Sequence, residues 1–268
     1  MSWLDAIILG LVEGITEFLP ISSTGHLILT KSWLGLEGDA IDRLLIVIQG
    51  AAILAVCWEY RERLWHTALS IGRETRSRLF VLNLFIAFLP LAILGLLLEE
   101  RIEAVLFSPI PVAIALVAGG LLILWAEKRQ HVERVTSVDE LTWRDALTVG
   151  LFQALALIPG TSRSAATILG GLLTGLNRRT AAEFSFFIAI PTLLAATVYK
   201  LWGARESMSM DEAEILALSS VVAFASALAA IRFLLRFISN HSFAMFAWYR
   251  ILVGGVILLS WQMGWLQW

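Results

Sequence analysis

Charge is scarce in this chain. Only 16% of its 268 residues are Asp, Glu, Lys or Arg, against roughly 25% in an ordinary soluble domain. With 58% hydrophobic residues and a mean hydropathy of +0.79, there is too little polar surface to coat a water-soluble globule. A basic excess is missing as well: a formal net charge of -2 argues against a nucleic-acid partner, which would want a clearly basic face. The one cysteine, Cys57, sits inside an apolar run, so neither an intramolecular disulfide nor a thiolate metal site is available. The N-terminus carries no basic n-region, and Asp5, Glu13 and Glu17 interrupt its apolar stretch, which argues against a cleaved signal peptide. What remains in abundance is apolar segments and 11 Trp. These mark an all-α polytopic membrane protein.

A bilayer core needs about 20 mostly apolar residues per helix. Six stretches meet this: 44–60, 80–98, 110–127, 183–202, 214–236 and 244–266. Four others do not. Residues 3–20 carry two glutamates and stop at Pro20, and 23–34 are too few to cross. Residues 144–158 stop at Pro159-Gly160, and 162–176 are again short. These four read as two re-entrant hairpins, each turning at a polar tip and leaving on the side it entered; non-helical backbone at that depth needs protein or a wet cavity around it.

The basic residues set the orientation. Arg61, Arg63, Arg73, Arg76, Arg78, Lys128, Arg129, Arg134, Arg144, Arg178, Arg179, Arg232 and Arg236 all fall on one side if the hairpins do not cross. The other side receives Lys31, Arg43, Arg101, Lys200 and Arg205, diluted by nine acids between Glu37 and Glu214. The basic loops are therefore expected in the cytoplasm and both termini outside. A shift of 140 lays Gly10-Leu11-Val12-Glu13 over Gly150-Leu151-Phe152-Gln153, Ser22 over Ser162 and Thr24 over Ser164; a shift of 135 lays Gly119-Gly120 over Gly254-Gly255. The expected architecture is an inverted repeat of two halves, 1–131 and 144–268, joined by a cytoplasmic connector at 132–143. Each half holds one hairpin and three spans. Inverted repeats with broken helices bring their binding site to the midplane.

The residues that would meet there are chemically loaded. Glu13 and Glu17 are four apart and share a helix face, at a cost of roughly 2.5–3.5 kcal/mol for each charge placed at the bilayer centre. They could pair with Arg163 or Arg250 to hold helices together, bind a divalent cation, or share a proton. Ser22, Ser23 and Thr24 open one short helix; Thr161, Ser162, Arg163 and Ser164 open the other. Helix N-caps explain such hydroxyls, but free N–H groups at a helix start also receive anions, and the planar fork of Arg163 suits a phosphate. His26 beside these hydroxyls is a candidate acid/base. Gln49, Glu183 and Arg250 are candidate supports, Arg250 reaching the interface or a glutamate. Together they describe a pocket for a phosphate or pyrophosphate attached to a lipid. His66, His131 and His241 have no metal-ligand spacing.

At this point GLVEGITEFLPISSTGH and PGTSRSAAT, with EFSFFIAIP at 183–191 and the Tyr249-Arg250 pair, closely resemble the undecaprenyl-pyrophosphate phosphatases, bacterial membrane enzymes associated with bacitracin resistance. The resemblance covers essentially the whole chain. It implies hydrolysis of undecaprenyl pyrophosphate to the monophosphate and inorganic phosphate on the outer face of the cytoplasmic (inner) membrane, recycling the carrier for peptidoglycan synthesis. It implies a divalent cation, Mg²⁺ or Ca²⁺, at Glu13 and Glu17. It matches Ser23, His26, Ser162 and Arg163 to the family's active-site positions; with the reading above, catalysis is expected of Glu17, Ser23, His26 and Arg163, and phosphate binding of Ser22, Thr24, Ser162, Ser164, Thr167 and Arg163. A homodimer is left open. The phosphohistidine lipid phosphatases do not fit, because their His and Asp would fall on Leu169 and Leu173 and the chain has no Arg-Pro dipeptide. The rival class is a secondary transporter or flippase of an anionic polyprenyl lipid, since inverted repeats are transporter architecture.

Overall fold

The computed structural model describes residues 2–129, 133–204 and 210–265, and among them it is helical almost throughout. Short helices come first: α1 (Trp3–Phe18) and α2 (Ser23–Leu34). Three spans follow, α3 (Asp39–Glu59), α5 (Thr75–Leu106) and α6 (Pro109–Lys128), with the short α4 (Arg61–Ser70) between the first two. The pattern returns with α7 (Trp143–Ala154) and α8 (Arg163–Leu173), then the spans α9 (Arg178–Ala204), α10 (Met210–Ile238) and α11 (Ala244–Gln262). Six of the described helices are long and apolar enough to cross a bilayer, and they coincide with the six expected stretches. The protein is a multi-pass helical membrane protein. His131 and Arg205 lie outside the described residues.

Local chemistry explains the ends. Ser2 and Asp5 form a reciprocal capping box on α1, and Thr142 and Asp145 form the same box on α7, each satisfying amides that a helix start leaves unpaired. Pro109 opens α6, where its missing N–H is no loss. Helix α4 occupies a stretch expected as a loop. It forms because Arg61, Glu62, Leu64 and Trp65 are reasonable helix formers, and it lies partly exposed with Trp65 and Leu69 outward.

Helix α1 packs mainly on α10 and α7 on α5, while α6 lies along α11. Glycine permits the closest of these approaches. A Cβ on Gly10 would stand 2.7 Å from the Ser219 carbonyl of α10, and one on Gly150 would stand 2.5 Å from the Ala87 carbonyl of α5. Helix α9 is central, with 61% of its apolar window buried against 11% for α5. The main core gathers around α9: Phe186 meets Phe18 edge-on at 5.8 Å, and Phe187 meets Phe80 at 5.0 Å and Tyr60 at 4.7 Å.

Ion pairs collect at one end of the bundle. Glu59 at the end of α3 pairs with Arg232 at 2.8 Å, Glu127 of α6 with Arg178 at 2.6 Å, and Asp139 in the connector with Arg63 and Arg76. Burial pushes the Asp139 carboxyl up, but hydrogen bonds from Arg63 and Arg76 outweigh it and leave the group below the ordinary carboxylate value. Arg134 reaches both Asp145 in the first turn of α7 and, at 3.1 Å, the Thr174 carbonyl just past α8. Start and finish of the α7–α8 pair thus share this end. At the opposite end Lys31 of α2 holds Asp42 of α3 at 2.8 Å.

Candidate active site

The two short-helix pairs meet tip to tip. Each second helix begins at a serine with positive φ, Ser22 at 74° and Ser162 at 71°. That backbone is strained for a residue with a Cβ, and the two positions correspond under the shift of 140. Ser162 Oγ caps α8 through the Ala165 amide at 3.2 Å. Ser22 Oγ is buried without a hydrogen-bond partner among the described residues.

Between the tips lies a buried ion pair. Arg163 donates to Glu17 Oε1 at 3.1 Å from one nitrogen and to the Ser185 carbonyl at 2.9 Å from the other. Its guanidinium carbon lies 5.9 Å from the Phe18 ring centre, within cation–π reach. The other carboxylate oxygen of Glu17 accepts from the Ser23 hydroxyl at 2.6 Å. Thr167 and Ser185 share a hydrogen bond at 2.6 Å behind Arg163, and Ser164 donates to the Leu19 carbonyl at 2.9 Å, tying one tip to the other. The hydroxyls of Ser164 and Thr167, both expected to bind phosphate, thus have partners within the protein. Ser185 is a residue that sequence reasoning misses. Only its placement as the one hydroxyl in the apolar run 184–191 could have flagged it.

One turn before Glu17, Glu13 is 1% exposed, and neither of its carboxylate oxygens has a hydrogen-bond partner among the described residues. It faces a cavity of ≈ 1130 Å³ lined also by Ser23, Thr24, Lys31, Asp42 and Gln49. Two carboxylate oxygens left in this state suit a hard divalent cation, which takes oxygen ligands. Among the described residues no three His, Cys, Asp or Glu side chains gather as a metal group, so such an ion would draw further ligands from water or substrate.

Three expected residues sit elsewhere. His26 turns toward α11: Nδ1 meets the Ser22 carbonyl at 2.7 Å and Nε2 the Tyr249 hydroxyl at 2.8 Å. Its ring lines a smaller pocket with Trp33 and Val253, apart from the cavity. Glu183 pairs with Arg179 at 3.0 Å on the first turns of α9; two residues from Ser185, it points roughly 200° away around the helix. Arg250 reaches neither the interface nor any glutamate among the described residues. It is fully buried among backbone carbonyls.

Six spans enclosing a charged, hydroxyl-rich site between two short-helix pairs define a polytopic membrane protein with a buried polar centre, open to one end through a cavity. Within that class the chain belongs to the family described as bacitracin resistance protein BacA, whose model matches residues 6–256. It is similar to the undecaprenyl-diphosphatase of Nitrosospira multiformis, 55% identical over 100% of this chain and 99% of the relative. The undecaprenyl-diphosphatases of Dechloromonas aromatica and Nitrosomonas europaea are each 56% identical, covering 99% and 100% of this chain and 97% and 99% of the relatives.

Proposed function

We propose that the chain hydrolyses undecaprenyl pyrophosphate to undecaprenyl phosphate and inorganic phosphate. The carrying observation is the Ser23 hydroxyl, which lines the cavity while donating to Glu17 at 2.6 Å. Glu17 accepts the Ser23 proton as the hydroxyl oxygen attacks the terminal phosphorus. The bond from that phosphorus to the bridging oxygen breaks, and undecaprenyl phosphate leaves. Water then hydrolyses the phosphoserine, releasing inorganic phosphate and restoring the hydroxyl. Arg163, within reach of Glu17, stabilises charge on the transferring phosphoryl group, a role worth about 10³–10⁵ in rate where arginine performs it. Glu13, with Glu17, would hold Mg²⁺ or Ca²⁺, which when bound supplies charge neutralisation for the phosphates. Thr24 and the amides at the starts of α2 and α8 bind phosphate oxygens, and Ser162 holds the α8 start in place. His26 braces the Ser22 turn against Tyr249.

The site belongs to an inverted repeat of halves 1–131 and 144–268. In support, the capping boxes, the strained serines and the close-packed Gly10 and Gly150 each recur at a shift of 140, and α1 on α10 matches α7 on α5. The α7–α8 pair begins and ends beside Arg134, as a re-entrant hairpin must. With the basic end in the cytoplasm of a bacterial inner membrane, the cavity and both termini face the periplasm.

Phosphate release by purified protein in detergent tests the reading, because no vectorial transport is possible there. No release from any polyprenyl pyrophosphate would sink the enzyme and leave the transporter. Labelled phosphate should be trapped on Ser23. Full turnover by Ser23→Ala would reject the nucleophile.

A further inference from the structure

Arg250 is the largest fully buried side chain among the described residues. No described carboxylate pairs with it. Instead all three guanidinium nitrogens donate to main-chain carbonyls. Nε reaches Leu116 at 3.3 Å, one terminal nitrogen reaches Pro20 at 3.4 Å, and the other reaches Ala115 at 3.3 Å, Gly160 at 3.2 Å and Thr161 at 2.8 Å. The partners come from three segments, the middle of α6 and the turns of both short-helix pairs, so that with α11 four segments are joined. Pro20 and Gly160 occupy matching places at the shift of 140, so a single side chain holds corresponding points of the two tips. Space has been cleared for it. A Cβ on Gly119 of α6 would lie 2.2 Å from one terminal nitrogen and 2.9 Å from the guanidinium carbon.

A buried cation with no anion is costly, and an apolar side chain could fill the same volume. What an apolar chain could not do is bind five carbonyls pointing inward from three directions. Lysine would also fail, since an ammonium is one point and the guanidinium a rigid plane. The turns held this way lie directly before Ser23 and Arg163. Their relative placement decides whether the hydroxyl and the guanidinium can address one phosphoryl group, and a misplacement of 1 Å in such a constellation can cost about 10²-fold in rate.

We propose that Arg250 is a positioning residue for phosphoryl transfer, a clamp that fixes the separation of the two tips without touching substrate. The proposal rests on the phosphatase reading for its kinetic arm. Its structural arm, the clamping itself, is readable without turnover. Two variants perturb the clamp differently: Arg250→Lys keeps charge and loses the planar fork, while Gly119→Ala keeps the fork and displaces it. Gly255→Ala, on the same helix with open space around its Cβ, is the control.

The measurements are kcat and KM for undecaprenyl pyrophosphate in detergent, thermal unfolding, and amide hydrogen exchange. For both clamp variants kcat should fall about tenfold or more, with KM nearly unchanged and activity not restored at temperatures where each variant is fully folded. Exchange should quicken at 21–24 and at 161–165 together, and at neither in Gly255→Ala. Normal kcat in folded Arg250→Lys and Gly119→Ala would overturn the proposal. So would a loss of activity that only follows the unfolded fraction while the tip amides stay protected. If wild-type protein released no phosphate yet the exchange pattern appeared, the clamp would stand and the phosphatase reading would fall.

Discussion

Replacing Arg163 separates catalysis from support, because the role proposed for it at the phosphoryl group is distinct from its buried contacts with Glu17 and Ser185. Arg163→Ala removes the 3.1 Å contact to Glu17 and the 2.9 Å contact to the Ser185 carbonyl. Glu17, only 6% exposed, is left as a buried carboxylate with the Ser23 hydroxyl as its remaining hydrogen-bond donor. Breaking a buried pair from one side costs about 3–5 kcal/mol, so thermal stability in detergent should fall clearly. Turnover should fall about 10³-fold or more, which corresponds to about 4 kcal/mol of barrier. Adding Glu17→Gln removes the stranded charge, so the double mutant should regain most of the lost stability and none of the activity. Arg163→Lys keeps the charge but cannot span Glu17 and Ser185 with one fork, and it should remain strongly impaired. Phosphate release and thermal unfolding on both single mutants and the double make the cycle. Activity that returns together with stability in the double mutant would refute the catalytic role, as would normal turnover in Arg163→Ala.

Chelator-treated protein should lose activity and regain it with Mg²⁺ or Ca²⁺, and Glu13→Gln should raise the metal concentration needed; full turnover in excess chelator would reject the metal role. In a Cys57→Ser background, cysteines placed at Gly72 and Glu37, both exposed, should label from opposite sides of the membrane, and labelling from one side would break the topology. Asp139 has a carboxyl held below its ordinary value of 3.8, so its contribution to stability is present above that pH and is lost as the pH falls through the lower folded value. The thermal midpoint in detergent should therefore drop on acidification below about pH 4, and Asp139→Asn should be less stable at neutral pH with a smaller acid-dependent drop; an unchanged acid profile would remove Asp139 from that role.

Much of this protein is legible in its sequence because a bilayer imposes a one-dimensional rule: length and hydropathy decide which helices can cross. The six spans follow from that rule alone. The short stretches ending at Pro20 and Pro159 announce themselves as failures of it. Buried charge is so costly in this setting that Glu13, Glu17 and Arg163 stand out in the bare sequence. The same logic misplaces Arg250. Electrostatics says a buried cation seeks an anion, whereas the fold satisfies it with carbonyls that point inward only because two turns and a helix converge there. Ser185 and Glu183 make the complementary case: two residues apart in one apolar stretch, they differ only in which side of α9 meets α8. The orientation of His26 toward Tyr249, and the division between Glu17, already paired, and Glu13, left open to the cavity, also depend on which helix packs beside which. Composition and periodicity settle what must enter the membrane. Contacts between residues more than a hundred positions apart settle which of its polar groups are free to react.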